Sequence, residues 1–205
     1  MAKRSLKPGA LLAPVPPVMV SCGSGDTKNI VTVGWTGILN TIPPKTYISL
    51  RPSRHSYKII KETGEFVINL TSAQLVWAAD YCGMYTGAKK DKFKECRLSA
   101  EASENVGCVS IGEAPVSIEC KVSAIEPMGT HDVFYADIVG VRADESLFDS
   151  NDRLDIGRAG LAAYAHGEYF ELGKKIGKFG FSAVKKKKNG VKKKHSKKTE
   201  KHHKS

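Results

Sequence analysis

Apolar residues in this chain fall mostly in short runs of two-residue period or in unbroken β-branched blocks, which is the pattern of strands. Residues 15–21 are apolar and flanked by proline, residues 30–35 are β-branched, and residues 46–50 are short and apolar. Residues 65–70 follow a glycine, and residues 115–125 and 132–141 are the two longest runs. In the last of these, Val133, Tyr135, Asp137, Val139 and Val141 share one face, and Phe134, Ala136 and Ile138 share the other. Two segments break the pattern and predict helices. One covers residues 54–63, with Ser53 as N-cap and Gly64 as the stop; the other covers residues 73–82, capped by Ser72 and closed by Gly83. Short strands, turns rich in Gly and Pro and only two clear helices do not make an alternating βαβ series. They predict a mainly β domain with short helices at the edge of an antiparallel barrel or sandwich.

Residues 50–60, Leu-Arg-Pro-Ser-Arg-His-Ser-Tyr-Lys-Ile-Ile, carry the most chemistry. A strand there runs directly into a helix whose first turn is crowded with cations and hydroxyls. The first turn leaves backbone N–H groups unpaired and carries partial positive charge, and both attract a phosphate. Arg51, Arg54, His55 and Ser56 add hydrogen-bond donors around it. No glycine fingerprint precedes the helix, which speaks against a dinucleotide fold or a P-loop.

Charge is strongly segregated. Residues 185–205 hold eleven lysines and one acid, Glu200, and so account for +10 of the net charge of +11. Residues 1–184 are therefore nearly neutral, and the domain division is 1–184 for a folded domain and 185–205 for a disordered Lys-rich tail. Such a tail binds polyanions non-specifically through counterion release. A nucleic-acid-binding protein would need a basic stripe or a recognised motif on the domain itself, and residues 1–184 have neither. The five cysteines, Cys22, Cys82, Cys96, Cys108 and Cys120, are odd in number and include no C-x-x-C pair. Free thiols in a reducing cytoplasm fit them best. Cys and His never fall at zinc-ligand spacing, so no metal is expected. Residues 11–20 are interrupted by Pro14, Pro16 and Pro17, and are too short for a signal peptide or a membrane span.

A set of ordered segments is similar to one known family. It comprises Pro-Pro-Val-Met-Val-Ser (16–21), Asn-Ile-Val-Thr-Val-Gly-Trp-Thr-Gly (29–37), Pro-Pro (43–44), Arg-Pro-Ser-Arg-His-Ser (51–56) and Thr-Gly-Glu-Phe-Val-Ile-Asn-Leu (63–70). Asp-Tyr-Cys-Gly (80–83), Asp-Lys-Phe (91–93), Gly-Thr-His-Asp (129–132) and Gly-Lys-Phe-Gly-Phe (177–181) complete it. Together they resemble the flavin reductase-like FMN-binding split barrels, and within them the flavoredoxin branch, over residues 10–183.

The resemblance implies a six-stranded antiparallel Greek-key barrel binding FMN without a covalent bond at a homodimer interface. It implies that Asn29 and the turn Val33, Gly34, Trp35, Thr36 meet the polar edge of the flavin, with Trp35 lying against the ring or the ribityl chain. Leu50, Arg51, His55 and Ser56 would hold the phosphate, and Lys92 would place a cation near the phosphate or the pyrimidine end. His131 would sit close to the isoalloxazine, and Tyr164 would bring an aromatic edge from the C-terminal segment. Residues 167–181 are expected to pack on the barrel or on a partner subunit. The implied function is an FMN-dependent oxidoreductase passing electrons from NAD(P)H or a ferredoxin-like protein donor to an acceptor. A non-enzymatic FMN electron-transfer carrier would use the same residues, and no catalytic acid, base or nucleophile is required by either.

Overall fold

The computed structural model describes residues 1–183; the expected lysine tail lies outside the described residues. Residues 1–172 form one compact unit, and the described residues 173–183 fall outside it. The compact unit is built on a seven-stranded, wholly antiparallel sheet. Its strands are β1 (Val18–Cys22), β2 (Asn29–Val33), β3 (Thr36–Thr41), β4 (Pro44–Leu50), β5 (Glu65–Asn69), two short strands outside the sheet, β6 (Ala100–Ala102) and β7 (Val109–Ile111), then β8 (Val116–Pro127) and β9 (Asp132–Ala143). The order across the sheet is β2-β1-β5-β8-β9-β4-β3. The two edge strands, β2 and β3, are joined only by Gly34 and Trp35, so the sheet curls back on itself without a closing ladder. The Ser49 amide donates to the Trp35 carbonyl at 2.9 Å, which carries the β3–β4 pairing one residue into this turn. This is an open, split barrel with short helices, the fold class that the resemblance implied.

The apolar runs explain the layering. β1 is buried on both faces: Val18, Val20 and Cys22 point into the barrel with Val31, Val33, Phe66 and Phe134, while Met19 points outward. The outward face is covered by α2 (Val76–Met84), whose Ala78, Ala79 and Cys82 pack on Met19 and Ile30. A strand buried on both faces reads as continuous rather than alternating, which is why residues 15–21 showed no period. β9 behaves as its alternation predicted, with Phe134 and Ala136 in the core and Val141 exposed.

Several expectations need adjusting. The main sheet holds one strand more than the expected six. β3 was missed because its side chains are mostly exposed and offer no apolar alternation. The strand expected over residues 15–21 begins only at Val18, and Val15 makes an isolated bridge to Tyr164. The second helix is preceded by a 3-10 turn (Ala73–Leu75) and runs past Gly83 to Met84; Ser72 gives it no side-chain cap. A further hairpin, β10 (Ala162–Ala165) and β11 (Glu168–Glu171), accounts for part of the aromatic segment at residues 167–181.

Candidate functional site

The site is built where β4 leaves the barrel and α1 (His55–Thr63) begins. The chain turns at residues 51–54, with the Arg54 amide donating to the Arg51 carbonyl at 3.0 Å. Arg54, not Ser53, is the N-cap residue, and it makes no side-chain capping bond. The reason is geometric: the 51–54 turn holds Ser53 one residue short of the extended position that precedes the helix. The amides of His55 and Ser56 have no backbone acceptor among the described residues, so the positive end of α1 is left open. The far end closes as expected, Gly64 taking a left-handed conformation (φ 70°) and donating to the Ile60 carbonyl. Inside, Ile60 is buried in the barrel core, and the Tyr57 hydroxyl donates to Asp132 at 2.6 Å, which fixes the helix against β9.

Over this helix start lies a polar cavity of about 320 Å³. Asn29, Arg51, Ser53, Arg54, His55, Ser56 and Lys92 line it, together with Met84, Tyr85, Thr86 and Gly87 from the end of α2 and the segment after it. No carboxylate is among the lining residues. Arg54 also donates to the Gly83 carbonyl at 2.8 Å and so ties the helix start to the end of α2. Lys92 is buried, and its ammonium donates to the carbonyls of Ile30 (2.7 Å) and Cys82 (2.8 Å). Burial holds its pKa below the ordinary lysine value. Asn29 donates to the buried Ser56 hydroxyl at 2.8 Å. A Cβ built on Gly87 would stand 2.1 Å from Asn29 Oδ1, so only glycine lets the 84–87 segment lie so close.

A second, less polar cavity of about 420 Å³ shares Arg51, Arg54 and Met84 with the first. Its walls include Pro17, Val33, Gly34, Trp35, Leu50, His131 and Tyr164. Burial, and then the charges of Arg51 and Arg54, hold the His131 pKa below its usual range. The one carboxylate lining this cavity, Asp80, accepts from the Tyr169 hydroxyl at 3.2 Å. Burial and the Asp80 charge push the Tyr169 pKa up to about 12.

Of the residues expected from sequence, Asn29, His55, Ser56 and Lys92 line the polar cavity, Arg51 lines both, and Val33, Gly34, Trp35, Leu50, His131 and Tyr164 line the second. Thr36 lines neither; its hydroxyl donates to the Tyr47 carbonyl at 2.5 Å. Sequence reasoning missed the 84–87 segment and the Asp80–Tyr169 pair. Gly87 was the only local sign of the former, and the latter joins residues 89 positions apart.

Comparison with known proteins places the chain. The flavin reductase like domain family matches residues 12–173. A flavoredoxin of Desulfovibrio vulgaris (Miyazaki F) is 32% identical, with a TM-score of 0.81 over 89% of this chain and 99% of that one. A flavoredoxin from Methanosarcina acetivorans shares the fold at 22% identity, with a TM-score of 0.78 over 89% of this chain and 100% of that one. An FMN reductase (NADH) RutF of Enterobacter cloacae is 26% identical over 99 residues, 48% of this chain and 58% of that protein. The chain belongs to the flavin reductase-like family and to its flavoredoxin branch.

Proposed function

We propose that this protein binds FMN and is an oxidoreductase passing electrons from NAD(P)H or a protein donor, through the flavin, to an acceptor. The observation that carries this reading is the joined pair of cavities, one cationic at a helix start and the other walled by apolar and aromatic side chains. A phosphorylated, extended cofactor with a flat ring needs those two environments in that order. When bound, FMN supplies hydride acceptance and one- or two-electron transfer.

The chain's own residues bind, orient and shield. Arg51, Arg54, His55 and the open amides of α1 take the phosphate. Trp35, Leu50 and Tyr164 offer apolar walls to the ring, and His131 stays neutral beside Arg51 and Arg54. Lys92 contributes a fixed positive charge at the cavity floor, locked by two carbonyls. The reading includes a homodimer, supported by the exposed apolar side chains Ile38, Leu39 and Ile42 at the β3–β4 hairpin. It places the protein in a reducing cytoplasm, in keeping with five free cysteines; no helix among the described residues is long and apolar enough to cross a membrane. The lysine segment from residue 185 is assigned an accessory role in binding polyanions.

The purified protein should be yellow and release intact FMN on denaturation, about one per subunit. A colourless protein that takes up no added FMN overturns the reading. NAD(P)H oxidation measured with and without an added acceptor separates a reductase from a passive carrier.

A further inference from the structure

Cys82 and Cys96 stand apart from the other cysteines. Their sulfurs are 3.9 Å apart, the one Sγ–Sγ contact among the described residues. The other three, Cys22, Cys108 and Cys120, are buried and pack elsewhere. Cys82 lies near the end of α2 and is fully buried, while Cys96 directly follows α3 (Lys92–Glu95) and is only partly buried. The segment between them supplies Met84, Tyr85, Thr86, Gly87 and Lys92 to the lining of the polar cavity. The two thiols therefore sit at the two ends of the stretch that covers the cationic end of the site.

We propose that Cys82 and Cys96 form a reversible disulfide that clamps residues 83–95 over the polar cavity. A disulfide needs sulfurs about 2.05 Å apart, so they must close by roughly 2 Å. Both α2 and α3 pack on the same core, so the approach falls to the side chain of Cys96, which follows a single turn of four residues and is only partly buried, whereas Cys82 is fully buried within α2. The oxidant is a peroxide. The more accessible Cys96 sulfur attacks the O–O bond of hydrogen peroxide and becomes a sulfenic acid, and one water leaves. The Cys82 sulfur then attacks the Cys96 sulfur, the S–S bond forms and a second water leaves. The two sulfurs give up two electrons, the peroxide takes both, and both thiol protons end in water. Burial raises both thiol pKa values, to about 12 for Cys82, so the pair answers sustained oxidation rather than turning over rapidly.

The consequence for a bound cofactor rests on the flavin reading above. Cross-linking the ends of the covering segment restricts the opening through which a ligand leaves, so release of FMN should slow by about three- to tenfold, as expected when a loop is held in its bound form. The test uses the full chain, treated with hydrogen peroxide, blocked with an alkylating agent and mapped by peptide mass without reduction. Trypsin cleavage at the exposed Lys89 and Lys90 and the rate of FMN release are measured on the same samples. A Cys82–Cys96 linked peptide that dithiothreitol removes, with slower cleavage and slower release, supports the clamp. Cys96→Ser should abolish all three effects; if that variant fails to fold, the comparison of oxidised with dithiothreitol-treated native protein carries the test. Linkage to another cysteine, irreversible over-oxidation alone, or a correct linkage that leaves cleavage and release unchanged overturns it. A protein that binds no FMN but shows the linked peptide and slower cleavage keeps the clamp and removes only the flavin reading.

Discussion

Arg51→Ala tests the phosphate contact at the helix start. Arg51 lines both cavities and makes no ion pair among the described residues. Its backbone carbonyl, not its side chain, holds the 51–54 turn, so truncation should leave the fold intact. A hydrogen bond to a charged group contributes about 1.5–3 kcal/mol. Arg51 is exposed, and solvent screening moves the expectation to the lower part of that range. At 1.4 kcal/mol per decade, about 1.5–2 kcal/mol weakens FMN binding roughly ten- to thirtyfold. Riboflavin has no phosphate and should bind the variant as it binds the native protein. Fluorescence-quenching titrations of both flavins against both proteins, at one ionic strength, measure the difference directly. The loss should also shrink as salt is raised, since an exposed charge is screened. Equal losses for FMN and riboflavin, or no loss for either, would refute the assignment of the helix start to the phosphate.

Gly87→Ala should destabilise the protein by about 1–3 kcal/mol, because the new methyl meets the buried Asn29 and breaks its bond to Ser56. A thermal melt checks this at roughly 2–4 °C per kcal/mol, and an unchanged melt would mean that the 84–87 segment is free to move away. His131 should titrate below the ordinary value of 6.5 when followed by NMR. Because its folded pKa is lowered, the unfolded chain binds the proton more readily, so its contribution to stability is full above pH 6.5 and is lost as pH falls toward the lowered value. Arg51→Ala should bring the His131 pKa back up, and a titration that does not move would show that Arg51 does not face this imidazole. Light scattering should report a homodimer; a monomer that still holds FMN tightly argues against the hairpin as an interface.

Much of the barrel was legible in the linear pattern because its causes are local. β-Branched runs make strands, alternation in residues 132–141 marks the face of Phe134 and Ala136, and Gly64 ends α1 because it alone tolerates the left-handed turn there. The cationic helix start was legible for the same reason, since Arg51, Arg54, His55 and Ser56 lie within one turn of chain. What only the tertiary structure decided is everything that depends on which segments meet. Lys92 reads as one charge in a lysine-rich stretch, yet the packing of α2 and α3 turns it inward onto the carbonyls of Ile30 and Cys82. Thr36 was expected in the turn, but it opens β3, where its hydroxyl donates to the Tyr47 carbonyl and it lines neither cavity. The 84–87 wall, the Asp80–Tyr169 pair and the approach of Cys82 to Cys96 join residues with no common period or motif. Periodicity reports which face of an element is buried; it carries no information on what lies opposite, and that was set by the curl of the sheet and the seating of α2 across it.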